Sequence, residues 1–284
     1  MRLFYLILSV ILFAQCNEKR TSYSNRIAKN DIQLENPVAG DWLYEHDEKG
    51  QTFRQYKNAK PVKPSSKQSI IYIQPIGSFT PMHAKELMLL QQYLEIYFQT
   101  DTKLLNPIED QGVPKTDRRI HADGQEQLHA PYILDKILKP NMPDSAIVFM
   151  GISEKDLYPK PAWNFVFGLA YLKQRVGVSS LYRMQEGKLN GSNFKKSLQR
   201  ILKISSHEIG HMFTIKHCTY AQCVMNGANH MQETDDSPMR LCSVCQQKLQ
   251  YSIAYDAEKR LKELIAFLGN NKLIEDKELL EKDL

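Results

Sequence analysis

Between His207 and Cys245 the chain gathers four of its eight histidines and four of its five cysteines, residue types that bind transition metals. The stretch opens His207-Glu208-Ile209-Gly210-His211. On a helix, residues four apart project from one face, so His207 and His211 can hold one ion between them. Glu208 lies within reach of a water on that ion, where a carboxylate works as general base. Two neutral imidazoles and a glutamate in this register are the arrangement of zinc peptidases. His217 is the candidate third ligand. Six residues beyond His211 it would face away on an unbroken helix, so the spacing predicts that the helix ends near Phe213 and the chain bends back. Three protein ligands leave one coordination position for water, whose pKa zinc lowers from ~15.7 towards ~7. Glutamine at 208 could not accept the proton, and aspartate would fall short of the water.

The cysteines continue the pattern. Cys218 follows His217 directly, Cys223 comes after a four-residue spacer, Met225 stands two residues further on, and Cys242-Ser243-Val244-Cys245 closes the set. Four thiolates would make a closed tetrahedral zinc site, with no room for substrate, that fastens the loop after His217 to the helix that follows. Two disulfides are the alternative in an exported chain. The Cys-x-x-Cys pair and the short spacer favour metal.

Taken together, these residues resemble the archaemetzincins, whose pattern joins a metzincin helix to a four-cysteine zinc site and a Met-turn. The likeness is strongest from Ser206 to Leu249 and weaker in GDWLYEHDEKGQTF (Gly40 to Phe53) and FVFGLAYLKQRVGVSSLYR (Phe165 to Arg183). The resemblance implies an α+β, metzincin-like zincin fold. Its N-terminal half would be a mixed twisted sheet with packed helices, and a structural zinc would hold its C-terminal half. It implies two zinc ions per chain, one catalytic and one structural, and hydrolysis of peptide bonds, including aminopeptidase-like action on short substrates. It also sets Met225 beneath the catalytic zinc, in a turn that Asn226-Gly227 favours; a methionine that only fills core is the plainer reading. The chain departs from the pattern at Thr214, where metzincins carry glycine. Glycine accepts the positive φ of a tight bend and a β-branched residue resists it. Either the bend uses another backbone conformation or His217 sits less firmly on the metal. A zinc-containing scaffold or peptide-binding module that does no catalysis is the competing class; Glu208 argues against it.

The elements that must position these groups are legible as periodicities. Phe194, Leu198, Ile201, Leu202, Ile209 and Met212 give the zinc helix a buried face from about Asn193, with Asn190 or Ser192 as caps. Ser69 to Gly77 and Ser145 to Ser153 read as buried strands, the first of them central. Pro81 opens a helix that runs to Phe98. Gln125 to Leu138 contains another helix, and Asn164–Leu172 with Val176–Met184 form a strand pair at the sheet's edge. A last long helix spans Gln246 to Leu268. The catalytic unit is residues 68–269. Residues 35–67, rich in proline and aromatics, are expected to be an arm packed in extended form, and 270–284 a solvated charged tail.

Residues 1–15 read as a secretory leader, with Arg2 before an apolar run too short to span a bilayer. Cys16 behind it suggests a lipidated N-terminus in a bacterial envelope, with residues 17–34 as tether; an ordinary cleaved leader is the alternative. The net charge of +5 is spread without a basic block, which gives no reason to expect nucleic acid. The expected partners are a peptide or protein substrate and a membrane reached through the lipid, for a monomeric chain. His230 stands near the cleft region with a surface role expected, and His46, His83, His121 and His129 lack ligand-like spacing.

Overall fold

The structure is a computed structural model that describes residues 23–284. The leader at 1–15 and Cys16 lie outside the described residues. Residues 23–27 are helical, and two short helices follow, α1 (Trp42–Glu45) and α2 (Phe53–Asn58). The central strand β1 (Ile70–Ile76) is buried along nearly its whole length, as a parallel strand covered on both faces must be. Helix α3 (Pro81–Phe98) starts on a Thr80/His83 capping box with proline in its first turn. Beyond it come β2 (Thr102–Leu104), β3 (Arg118–Ile120) and β4 (Glu126–His129). Helix α4 (Ala130–Tyr132) runs on as a π-helical stretch, Ile133–Leu138. Strands β5 (Ala146–Ser153), β6 (Asp156–Tyr158), β7 (Gly168–Ala170) and β8 (Val176–Ser180) complete two sheets.

The main sheet runs β2-β1-β5-β8-β7, parallel except for β7, which pairs antiparallel with β8 at the edge. The smaller one runs β3-β4-β6. One face of the main sheet packs Ile71, Ile73 and Met150 against α3 and the long helix α5 (Phe194–Met212); the other packs Tyr72, Ile76 and Phe149 against the Ala130–Leu138 segment. The chain closes with α6 (Met231–Asp236), α7 (Ser243–Ile253), α8 (Ala257–Asn270) and α9 (Ile274–Glu281). This is the expected α+β architecture. None of the described helices is long and apolar enough to cross a membrane.

Several expectations are corrected. The helix expected within Gln125–Leu138 is confined to Ala130–Leu138; Glu126–His129 before it is strand, because Gln127 and Leu128 pair with β6 and the buried Gln127 side chain donates to Asp156. The last long helix is two, broken where Ala254 turns to φ 53° and Asp256 caps α8 by accepting from the Glu258 and Lys259 amides. Asn193, not Asn190 or Ser192, is the N-cap of α5, and its side chain bonds the Glu186 and Lys188 carbonyls instead. The arm carries α1 and α2 rather than lying extended; Tyr56 is fully buried and its hydroxyl donates to the Phe213 carbonyl at 2.9 Å.

The tether and the tail are docked as well. Ile27 is fully buried, and buried Arg240 binds Asp283 at 2.7 Å, Asp31 at 2.8 Å and the Ile27 carbonyl at 2.8 Å. One guanidinium thus ties residues near both ends to the loop before α7.

Candidate metal centres

Helix α5 presents its apolar side to α3 and the sheet and its other side to a cleft. It ends at Met212, one residue from the expected position. Thr214 then takes φ 72°, the conformation glycine would supply, and the chain bends back to His217. The three rings converge: centroid separations are 4.5 Å (His207–His211), 4.9 Å (His211–His217) and 5.2 Å (His207–His217). One ring nitrogen from each lies within 4.8 Å of the others. Each Nδ1 is engaged elsewhere, by the Val224 carbonyl at 2.8 Å, the Ile215 carbonyl at 2.6 Å and the Glu48 carboxylate at 2.9 Å. Those acceptors carry no hydrogen, so each Nδ1 holds a proton and, in the neutral ring, Nε2 is left with the lone pair. Burial pushes His211 down to about 3 and His207 well below the ordinary histidine range, which keeps both neutral. Neutral, convergent, oriented imidazoles fit a zinc ion.

The strained bend is held from outside. A left-handed conformation costs a side-chain-bearing residue roughly 1–2 kcal/mol. Thr214 Oγ1 donates to the Leu172 carbonyl at 3.2 Å, and Gln51 bridges the turn, donating to the Thr214 carbonyl at 3.2 Å and accepting from the Lys216 amide at 3.3 Å.

Gln51 belongs to the arm, which supplies the groups that sequence reasoning missed. Glu48 orients His217; although burial pushes its carboxyl up, the hydrogen bond and charge of His217 outweigh this and hold it below the usual range. Trp42 stands edge-on to His217 at 5.0 Å and stacks on His46 at 3.9 Å. A Cβ at Gly227 would lie 2.4 Å from the Trp42 ring, so the glycine admits the indole. The weak likeness in Gly40–Phe53 was the available signal for all of these.

Glu208 is buried beside the imidazoles, and desolvation raises its carboxyl to about 8. A Cβ on Gly168, in edge strand β7, would fall 2.5 Å from Glu208 Oε1, so that glycine makes room for the carboxylate. Both line a cavity of about 480 Å³ together with the three histidines. Met225 is fully buried under the helix, its sulfur seated where a Cβ on Gly210 would come within 2.5 Å. Asn226 laces the turn, donating to the Cys218 and Ala221 carbonyls and accepting from the Cys223 amide. His230 stands apart from the triad, near Asp41 and Glu233.

Cys218, Cys223, Cys242 and Cys245 are all buried and unbridged, their sulfurs within 4.8 Å of one another. The Cys218–Cys242 separation is 3.6 Å. A disulfide measures about 2.05 Å, whereas tetrahedral thiolates with metal–sulfur bonds of ~2.3 Å stand ~3.8 Å apart. Hydrogen bonds from the other thiols hold Cys218 far below the ordinary thiol range, while burial pushes Cys223 well above it. Four buried sulfurs at this spacing fit a zinc ion, whose charge would hold all four as thiolates.

The chain is also similar to proteins of a known family. Peptidase family M54 matches residues 126–251. Archaemetzincin-2 of Rattus norvegicus is 34% identical over 262 residues, 81% of this chain and 72% of its own length. Archaemetzincin-2 of Homo sapiens is 34% identical over 272 residues, covering 84% and 74%. The crystal structure of an archaemetzincin from Archaeoglobus fulgidus complexed with malonate matches at TM-score 0.50 and 28% identity, over 63% of this chain and 99% of that one. An archaemetzincin structure from Methanopyrus kandleri has TM-score 0.53 at 23% identity, over 66% and 97%, a likeness of fold.

Proposed function

The chain belongs to the archaemetzincins, peptidase family M54, and is therefore a zinc metallopeptidase; from that premise we propose that it cleaves peptide bonds at the His207–His211–His217 centre with Glu208 as general base. The observation that carries the reading is the convergence of three Nε2 atoms, each with its Nδ1 already engaged, beside a buried glutamate in a cleft. Zinc held by these imidazoles supplies Lewis acidity to a water and to the scissile carbonyl.

The chain's own groups do the rest. Strand β7 pairs only with β8 among the described strands, so its other edge can take an extended peptide as a further strand. Glu208 removes the proton from the attacking water as the new C–O bond forms. It returns that proton to the amine nitrogen as the C–N bond breaks. Burial suits both duties, since a carboxyl near neutrality holds and releases protons at working pH.

The thiolate cluster is assigned a second, structural zinc, which would fasten the His217 loop to α7. Short peptides, with aminopeptidase-like action, are the proposed substrates. Cys16 is proposed to anchor the chain by lipid in a bacterial envelope, supported by the apolar leader before it. The test is cleavage of a quenched peptide library by the zinc-loaded chain and by Glu208→Gln. The variant should lose at least ~100-fold in kcat while keeping two zinc ions. Equal cleavage by both proteins would sink the reading.

A further inference from the structure

Lys203 lies one helical turn before His207, on the same side of α5 as the metal-site imidazoles, and lines the same cavity. It is only 3% exposed. Its ammonium donates to two carbonyls, Asp235 at 2.8 Å and Thr234 at 3.1 Å. Among the described residues no carboxylate forms an ion pair with it, and its third N–H has no acceptor. The nearby Asp235 carboxylate is engaged by Arg200 at 2.7 Å and Lys196 at 3.1 Å. Thr234, also lining the cavity and 4% exposed, has an Oγ1 with no hydrogen-bond partner.

Carbonyls satisfy the hydrogens of an ammonium but not its charge, which Asp276, Asp235 and Asp236 offset only from beyond ion-pair distance, and a buried cation without a contacting counter-ion is costly. A carboxylate entering the cavity would bring both the missing acceptor and a negative charge in direct contact. Its second oxygen could accept from the Thr234 hydroxyl.

We propose that Lys203 and Thr234 form an anion-selecting subsite that binds a carboxylate of the peptide beside the metal centre. The carboxylate comes either from an Asp or Glu side chain near the scissile bond or from the peptide's own C-terminus. The same ammonium repels a free α-amine, so an N-terminal residue would occupy the opposite side of the triad. This assignment rests on the peptidase reading. The rival role for Lys203 is structural, a tie between α5 and the carbonyl end of α6.

The experiment measures kcat/KM of the zinc-loaded full chain on matched quenched peptides. One set carries Glu or Gln at each position flanking the scissile bond; the other carries a free or an amidated C-terminus. A charge-assisted hydrogen bond predicts that the wild type prefers the carboxylate by about 10-fold or more in one of the sets. The responding set identifies the source. Lys203→Gln should bring that ratio close to one. Thr234→Val should reduce it several-fold, and serves if Lys203→Gln does not fold. Equal wild-type rates for every acid–amide pair overturn the proposal without any variant. A Lys203→Gln protein that slows all peptides alike and keeps the preference overturns it too, in favour of the structural tie. Failure to cleave any peptide, neutral ones included, would remove the peptidase reading itself and this subsite with it.

Discussion

Glu48 does for His217 what main-chain carbonyls do for His207 and His211: it holds the Nδ1 proton and aims Nε2 at the common point. A carboxylate also raises the basicity of the imidazole it holds, so its loss should show in the metal and not in the fold. Glu48→Gln should weaken zinc binding at the histidine site by about 10–100-fold in a chelator competition, with thermal unfolding of the zinc-loaded protein little changed. Thr214 allows a second test at this scale. Thr214→Gly relieves roughly 1–2 kcal/mol of left-handed strain but loses a hydrogen bond of about 1 kcal/mol and adds chain entropy of about 0.5–1 kcal/mol. Stability in urea should therefore stay within about 1 kcal/mol of wild type. Thr214→Val keeps the strain and leaves the Leu172 carbonyl without its donor, so it should cost about 1–3 kcal/mol.

At the scale of elements, α5 and the strands around it follow from their own sequence, while the segments that flank the catalytic unit do not. The zinc helix and α3 each carry a periodicity that matches the face they bury, and β1 and β5 are the short continuous apolar runs that strands covered on both faces require. The arm and the tail carry no such pattern, because they are buried at a few points rather than along a face. Tyr56, Ile27 and Leu280 are single anchors in otherwise polar segments. Arg240 is the clearest case: its partners Asp31 and Asp283 lie 209 and 43 residues away, and a charge at either position looks solvated when read along the chain. Asp283→Asn keeps the shape and removes one of two counter-ions from a buried guanidinium. It should destabilise the protein by about 3 kcal/mol, read as a shift in the urea midpoint at unchanged slope.

For the molecule as a whole, acid response should report a buried carboxyl between two helices. Glu86, on α3, is 1% exposed, and burial raises its pKa to about 7 from 4.5. Between those values the folded chain holds a proton that the unfolded chain has released. Stability from this group is then full below pH 4.5 and falls as pH rises towards 7. The change is about 1–3 kcal/mol. Glu86→Gln should remove that part of the slope, so its stability gain over wild type should be larger at pH 7 than at pH 5. Urea unfolding at the two values measures it, and an unchanged difference would show that Glu86 is charged in the fold.

The sequence alone determined which residues are candidates for metal chemistry. Ligand spacing along a helix, a cysteine pair with two residues between and an Asn-Gly turn are local, and local geometry repeats wherever those residues occur. It also indicated that the zinc helix must end before His217, since helical rotation leaves no alternative. Tertiary structure decided what holds those groups in place and what the cleft presents. Glu48 meets His217 across 169 residues, Gln51 steadies the Thr214 bend across 163, and Lys203 finds its carbonyls on another helix. No period connects such positions. They are brought together by burial of the arm and of α6 against the core, and that depends on the whole packed chain.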